Sequence, residues 1–212
     1  MSKFKTGLPT RALGIDWETS GYLPPKELDG HFIGYADEHQ GIALGAVVFD
    51  IQTFEPIDTF YVEIKFDDSK YKWEKQAEKI HGLSKEYLEE NGLSAEDAAT
   101  AFMNFFVKHF LPDEEVILLG HNKDFDIAFL HKFLEPFGIM PKLSYRGINT
   151  SDVGMVAFGM VKSDQIFEHI GLPPRQDHNA LEDILYTLEV CKTVRTLVNT
   201  AMGGYNEVVW RI

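Results

Sequence analysis

The sequence predicts an α/β domain whose mixed sheet is flanked by helices, and three observations carry that expectation. Strand-like runs come first, helix and strand alternate from about Ala95 onward, and one long helix closes the pattern. The first run, Arg11 to Asp16, is apolar and ends at acidic residues, as a short buried strand does. Ile42 to Asp50 and Ile57 to Phe66 are rich in Val, Ile, Phe and Tyr, and Gln52-Thr53-Phe54-Glu55-Pro56 between them has turn chemistry, so a meander of three strands is expected.

The helical half begins at Ser94, a candidate N-cap for a helix over Ala95 to Phe110 that Leu111-Pro112 stops. Glu115 to Gly120 reads as a buried strand, Phe125 to Phe137 as a helix closed by Gly138, and Ser144 to Asn149 as a weaker strand leading into helical segments up to Ile170. The last helix runs from about Ala180 to Thr200 and ends near Gly203-Gly204. Gly21 to Gln40, with Pro24-Pro25, is an irregular insertion longer than a compact domain usually needs, and a short tail follows from about residue 201. No internal repeat interrupts the pattern, so residues 1–212 are expected to form one domain.

With 44% apolar and 25% charged residues, there is material for one real core. The only cysteine, Cys191, has no partner for an internal disulfide, which fits a reducing, cytoplasmic setting. Met1 to Arg11 lacks an apolar leader core, and no run approaches the roughly 20 apolar residues of a membrane span, so neither secretion nor a membrane is expected. The formal charge of −13 has the wrong sign for simple phosphate binding. It is tolerable where bound divalent cations supply the local positive charge.

Three short segments carry chemistry. Asp16 and Glu18 flank Trp17, and the period of an extended chain points both carboxylates to one face. Hard cations want such oxygen ligands, although an Asp-x-Glu pair is also common on solvated surfaces. His121-Asn122-Lys123-Asp124-Phe125-Asp126 lies where a strand meets a helix; Asp126 either reaches a metal above Phe125 and Phe129 or only complements the helix dipole behind an Asp124 cap. Gln176-Asp177-His178-Asn179-Ala180-Leu181-Glu182-Asp183 opens the last helix, with Asn179 and Glu182 in capping-box spacing. That cap leaves His178 in the preceding loop, free to reach over a site at which Asp183 points. Within one regular helix the two would splay roughly 140° apart.

Together these segments resemble the DEDDh exonuclease family, which includes proofreading subunits, oligoribonuclease and RNase T. Asp-x-Glu-Thr, His-Asn-x-x-Phe-Asp and His-x-x-x-x-Asp occur in the family's order, and Ile80-His81-Gly82-Leu83 is similar to its His-Gly-Ile/Leu stretch. The resemblance runs from Ala12 to about Val194. It implies a ribonuclease H-like fold with a five-stranded mixed sheet, and 3′ to 5′ exonuclease activity that releases nucleoside 5′-monophosphates. It assigns Asp16, Glu18, Asp126 and Asp183 to two divalent cations, Mg²⁺ or Mn²⁺, and His178 to the general base. It also places Thr19, Leu83 and Asn122 near the terminal nucleotides. Trp17, bulkier than the residue expected between the two acids, and the 21–40 insertion depart from the pattern without removing a ligand.

Arg175, close to His178, is a candidate phosphate contact or else a surface arginine. The expected partners are single-stranded or frayed 3′ ends, DNA before RNA, and a polymerase or other replication protein. An exoribonuclease acting on short RNA and a non-catalytic accessory module are the competing readings. Lys65 to Lys85 interleaves lysines with Tyr71 and Trp73, a composition that can stack bases, but Asp67, Asp68, Glu74 and Glu78 nearly cancel its charge and favour a solvated face.

Overall fold

The computed structural model describes residues 9–22, 26–28, 31–175 and 178–202. The chain runs through β1 (Arg11–Thr19), β2 (Lys26–Leu28), β3 (His31–Ile33), α1 (Tyr35–Glu38), β4 (Gly41–Asp50) and β5 (Pro56–Glu63). Helices α2 (Lys75–His81), α3 (Lys85–Asn91) and α4 (Ala95–His109) follow, then β6 (Val116–Gly120), α5 (Lys123–Leu134) and β7 (Leu143–Asn149). The chain closes with α6 (Thr150–Phe158), α7 (Ser163–His169) and α8 (Ala180–Ala201). The sheet has five strands in the order β5-β4-β1-β6-β7. The meander β1-β4-β5 is antiparallel, while β6 and β7 add in parallel, so the sheet is mixed as expected.

Alternation along β1 divides the core. Leu13, Ile15 and Trp17 pack with Phe102, Phe106 and Phe129 of α4 and α5, whereas Ala12 shares the opposite face with Ile184 and Leu188 of α8. A central strand covered on both faces needs this near-continuous apolar run. Ser94 caps α4 by accepting the Asp97 N–H at 3.1 Å, and Asn179 caps α8 by accepting the N–H groups of Leu181 and Glu182 at 3.1 and 3.2 Å.

Gly45 sets how closely α8 approaches. A Cβ there would lie 2.3 Å from the Ala180 backbone, and Gly45 is the register partner of Asp16. The first turn of α8 therefore rests on the sheet beside the first acid. Gly45→Ala is expected to cost roughly 1–3 kcal/mol of stability and to displace Asp183, lowering turnover as well; thermal unfolding and a nuclease assay on one preparation check both.

Several boundaries differ from the sequence expectation. β1 continues past Asp16 to Thr19, so the acids lie within the strand. β5 stops at Glu63, after which Ile64 bridges to Leu93. α5 starts at Lys123 with Asn122 as its N-cap, so Asp124 is not the cap. The periodicity expected to Phe137 breaks into a 3₁₀ turn over Glu135–Phe137 before Gly138, whose φ of 64° is left-handed. The insertion holds an antiparallel ribbon, β2 with β3, and the short α1. Its base is closed by Ser20 N–H to Gln40 O at 2.9 Å.

The lysine-rich stretch folds into α2 and the start of α3, both missed by periodicity because each has only 7 residues. Trp73 packs against Phe66 at 4.9 Å and donates to Glu78 Oε2 at 2.7 Å. Lys65, Lys70, Lys72, Lys75 and Lys85 pair with Glu89, Asp67, Glu38, Glu78 and Asp68. The solvated-face reading therefore describes this stretch. No helix among the described residues is long and apolar enough to cross a membrane. Gln176, Asp177 and the tail from residue 203 lie outside the described residues.

Candidate active site

The acids meet where the parallel pairing ends. β6 pairs with β1 only at Leu13 and Gly14, so the β6-facing edge of β1 beyond that point has no strand partner. Helix α5 starts just after β6, and Asp126 Oδ1 accepts the Trp17 N–H at 3.1 Å. A helical carboxylate thus satisfies a backbone donor of the central strand and lies beside the Asp16/Glu18 pair. Ligands of open α/β sheets collect in this region, at the carboxyl ends of parallel strands.

One cleft is lined by Asp16, Glu18, Asn122, Asp126, Arg175, His178 and Asp183. The convergence expected from the sequence is present, for the acids come from β1, α5 and α8 and the histidine from the loop before α8. His178 Nδ1 stands 3.2 Å from Asp183 Oδ2. The loop is tied down by His178 N–H donating to Ile80 O at 3.2 Å, which brings the Ile80-His81-Gly82-Leu83 segment alongside. There α2 ends at Gly82 with φ 72°, and the Leu83 N–H donates to His81 Nδ1 at 3.0 Å.

Thr19 and Leu83 are not part of the cleft lining. The Thr19 hydroxyl is committed to Gly21 O at 2.9 Å. Arg175 is not a surface arginine: its side chain is only 4% exposed, with Nη1 2.5 Å from Asp183 Oδ2 and Nη2 on Asp164. His121, which opens the His-Asn-x-x-Phe-Asp segment but was given no role, lines the cleft too, and periodicity gave no sign of Ser163, Phe167 and Thr187 there. A residue read as ordinary helix or core carries no local mark of the cavity it faces. Phe125, expected beneath Asp126, does line the cleft, and Tyr35 of the insertion packs on it at 5.1 Å.

Burial and mutual repulsion dominate the electrostatics. Burial pushes Asp126 up to about 8, against the lowering effect of the Trp17 N–H. Glu18 rises to about 7, first through burial and then through the Asp183 charge. Asp16 is raised well above the carboxylate range by burial and by Asp126, Glu18 and Asp183. His178 is raised by its hydrogen bond to Asp183, whereas burial lowers His81 to about 4.

The donor set fits a hard divalent cation. Glu18 Oε1 and Asp183 Oδ1 are buried without any hydrogen-bond partner, an arrangement that is costly unless a cation or proton satisfies it. One ligand atom each from Glu18, His178 and Asp183 lies within 4.8 Å of the others. Carboxylate oxygens are the ligands that Mg²⁺ and Mn²⁺ prefer.

Comparison with known proteins finds 3'-5' exonucleases. Residues 27–195 match the family described as 3'-5' exoribonuclease Rv2179c-like domain. The chain is 26% identical over 194 residues to the 3'-5' DNA exonuclease Cap18 of Escherichia coli, an alignment covering 87% of this chain and 91% of that one. Among solved structures, E. coli Exonuclease I in complex with a dT13 oligonucleotide superposes with a TM-score of 0.70 at 16% identity, covering 92% of this chain and 43% of that one. The chain therefore spans less than half of Exonuclease I. The nuclease domain of 3'hExo, a DEDDh family member bound to rAMP, superposes with a TM-score of 0.63 at 15% identity, covering 90% and 92%.

Proposed function

Because the chain belongs to the 3'-5' exoribonuclease Rv2179c-like domain family, with its acids and histidine in the DEDDh order, we propose that it shortens single-stranded DNA from the 3′ end and releases nucleoside 5′-monophosphates. The observation that carries the reading is the cleft itself: four acids from three separate elements and one histidine, with two buried carboxylate oxygens left without partners. A non-catalytic module gains nothing from buried acids that repel phosphate.

Asp16, Glu18, Asp126 and Asp183 would hold two divalent cations, Mg²⁺ or Mn²⁺. Such ions, when bound, lower the pKa of an attacking water and offset charge at the departing 3′ oxygen. Asp183 orients His178 through Nδ1, which leaves the Nε2 lone pair to accept the proton of the water. The Trp17 N–H holds Asp126 in place, and the Asn179 cap fixes the turn carrying Asp183. Asn122, in the cleft lining, is the candidate contact to the terminal nucleotide, while the Thr19 backbone and Leu83, the other candidate contacts, lie outside that lining.

His178 must be neutral to act as the base, and its hydrogen bond to Asp183 holds its pKa above the usual value. Turnover is therefore expected to fall on the acid side of a midpoint above about 6.5. In His178→Gln, kcat should drop at least about 100-fold and lose that acid limb; a kcat profile from acid to mildly alkaline pH reads both.

DNA is favoured by the likeness to Cap18, which is matched along most of its length. The exoribonuclease description of the family supports RNA as a second reading. Labelled DNA and RNA single strands of equal length, incubated with Mn²⁺, separate the two. Faster loss of the DNA 3′ end is expected; faster loss of RNA would reverse the sugar assignment, and no shortening of either strand would overturn the activity.

A further inference from the structure

Arg175 sits between two acids of different standing. Asp183 is buried and shares the cleft with Asp16, Glu18 and Asp126. Asp164, on α7, has a side chain that is 73% exposed. The guanidinium bridges them, Nη1 on Asp183 Oδ2 at 2.5 Å and Nη2 on Asp164 Oδ1, with Ser163 Oγ 3.4 Å from Nη2. Its carbon lies 5.0 Å from the centre of the Phe167 ring, a flat surface beneath the group, while Nε has no partner.

A guanidinium on a carboxylate competes with any other cation for that carboxylate. Asp183 Oδ1 is buried without a partner while Oδ2 is held by Arg175 and His178. Asp164 and Ser163 offer the guanidinium a second seat it already touches, so it can leave Asp183 without becoming an uncompensated buried charge.

We propose that Arg175 is an internal counter-cation that holds Asp183 while no metal is bound and retreats onto Asp164 and Ser163 when a divalent ion takes Asp183, so that this arginine sets the metal affinity of the site. The inference rests on the reading of Asp183 as a metal ligand. Arg175 acts here as a positioning residue, touching the ligand and not the reacting atoms.

Mn²⁺ dissociation constants, measured on the full chain by the electron paramagnetic resonance of free Mn²⁺, test this independently of turnover. Arg175→Gln should bind Mn²⁺ at least about tenfold more tightly, although it unfolds at lower temperature in chelator. Arg175→Lys, which keeps the charge but loses the fork that spans both acids, should fall between wild type and Arg175→Gln. Asp164→Asn, an exposed and therefore well-tolerated change, should bind several-fold more weakly because the second seat is impaired. In the Arg175→Gln background that penalty should vanish, since it acts through the arginine. A merely structural arginine would lower the melting temperature and leave Mn²⁺ affinity unchanged or weaker, and that result overturns the proposal. An Asp164→Asn penalty that persists without Arg175 overturns it too. If Asp183→Asn binds Mn²⁺ like wild type, the ligand reading itself is wrong, and the inference falls with it.

Discussion

Asp16→Asn should abolish exonuclease activity and make the metal-free protein more stable. Asp16 is half-buried in the central strand, and its pKa is raised first by desolvation and then by the charges of Asp126, Glu18 and Asp183. The structure gives it no basic partner at hydrogen-bond distance among the described residues, and the Arg175 charge offsets it least of the causes acting on it. An asparagine of the same shape removes the repulsion and the cost of burying a charge, so a chelated sample near about pH 8 should melt several degrees higher. The same change takes away a hard anionic ligand, so turnover should fall about a thousandfold or more, and Mn²⁺ should raise the melting temperature less than it does in wild type. Opposite movements of stability and activity distinguish a functional acid from a structural one. Calorimetry in chelator and in Mn²⁺, with an oligonucleotide assay on the same sample, measures both. A variant that melts lower and keeps its turnover would remove Asp16 from the site.

The second large effect is the pH dependence of the chelated protein. Glu18 has an ordinary value of 4.5 and is raised to about 7 in the fold; Asp126 goes from 3.8 to about 8. Between the unfolded and folded values the native state binds more protons than the unfolded chain, so stability falls as pH rises through that interval. The favourable contribution is complete below about pH 4 and is lost by about pH 8. Glu18 alone corresponds to a loss on the order of 3 kcal/mol, or roughly 5–10 °C in a chain of this size. Saturating Mg²⁺ or Mn²⁺ should remove the slope, because the ion replaces the protons on the same oxygens. Because the lowered His81 adds stability with rising pH only up to about 6.5, a melting temperature in chelator that is flat or rising between about pH 6.5 and pH 8 would show that the acids are not crowded as described.

Much of the fold was legible because local physics writes it locally. The strand-first order, the Ser94 and Asn179 caps and the long last helix all appear near their expected positions, since each depends on neighbours a few residues away. The short helices Lys75–His81 and Lys85–Asn91 were not legible, being too brief to show a period against a run of charged residues. The residues proposed for catalysis were legible for a different reason. Asp-x-Glu, His-Asn-x-x-Phe-Asp and His-x-x-x-x-Asp stand in the order of the DEDDh family, and that resemblance, where no single segment decided, let the candidate acids and His178 be named before any coordinates.

By itself, the sequence determined the five main strands and the longer helices, and which side chains bring oxygen and imidazole to the elements around the cleft. Tertiary structure alone decided that β6 stops pairing after Gly14 and leaves the Trp17 N–H to Asp126, and that Gly45 lets the first turn of α8 rest against the sheet. It likewise decided that Arg175 turns inward onto Asp183 and Asp164. The reason is range: a hydrophobic period or a cap acts over a single turn, whereas these contacts join residues brought together only when helices pack on a completed sheet.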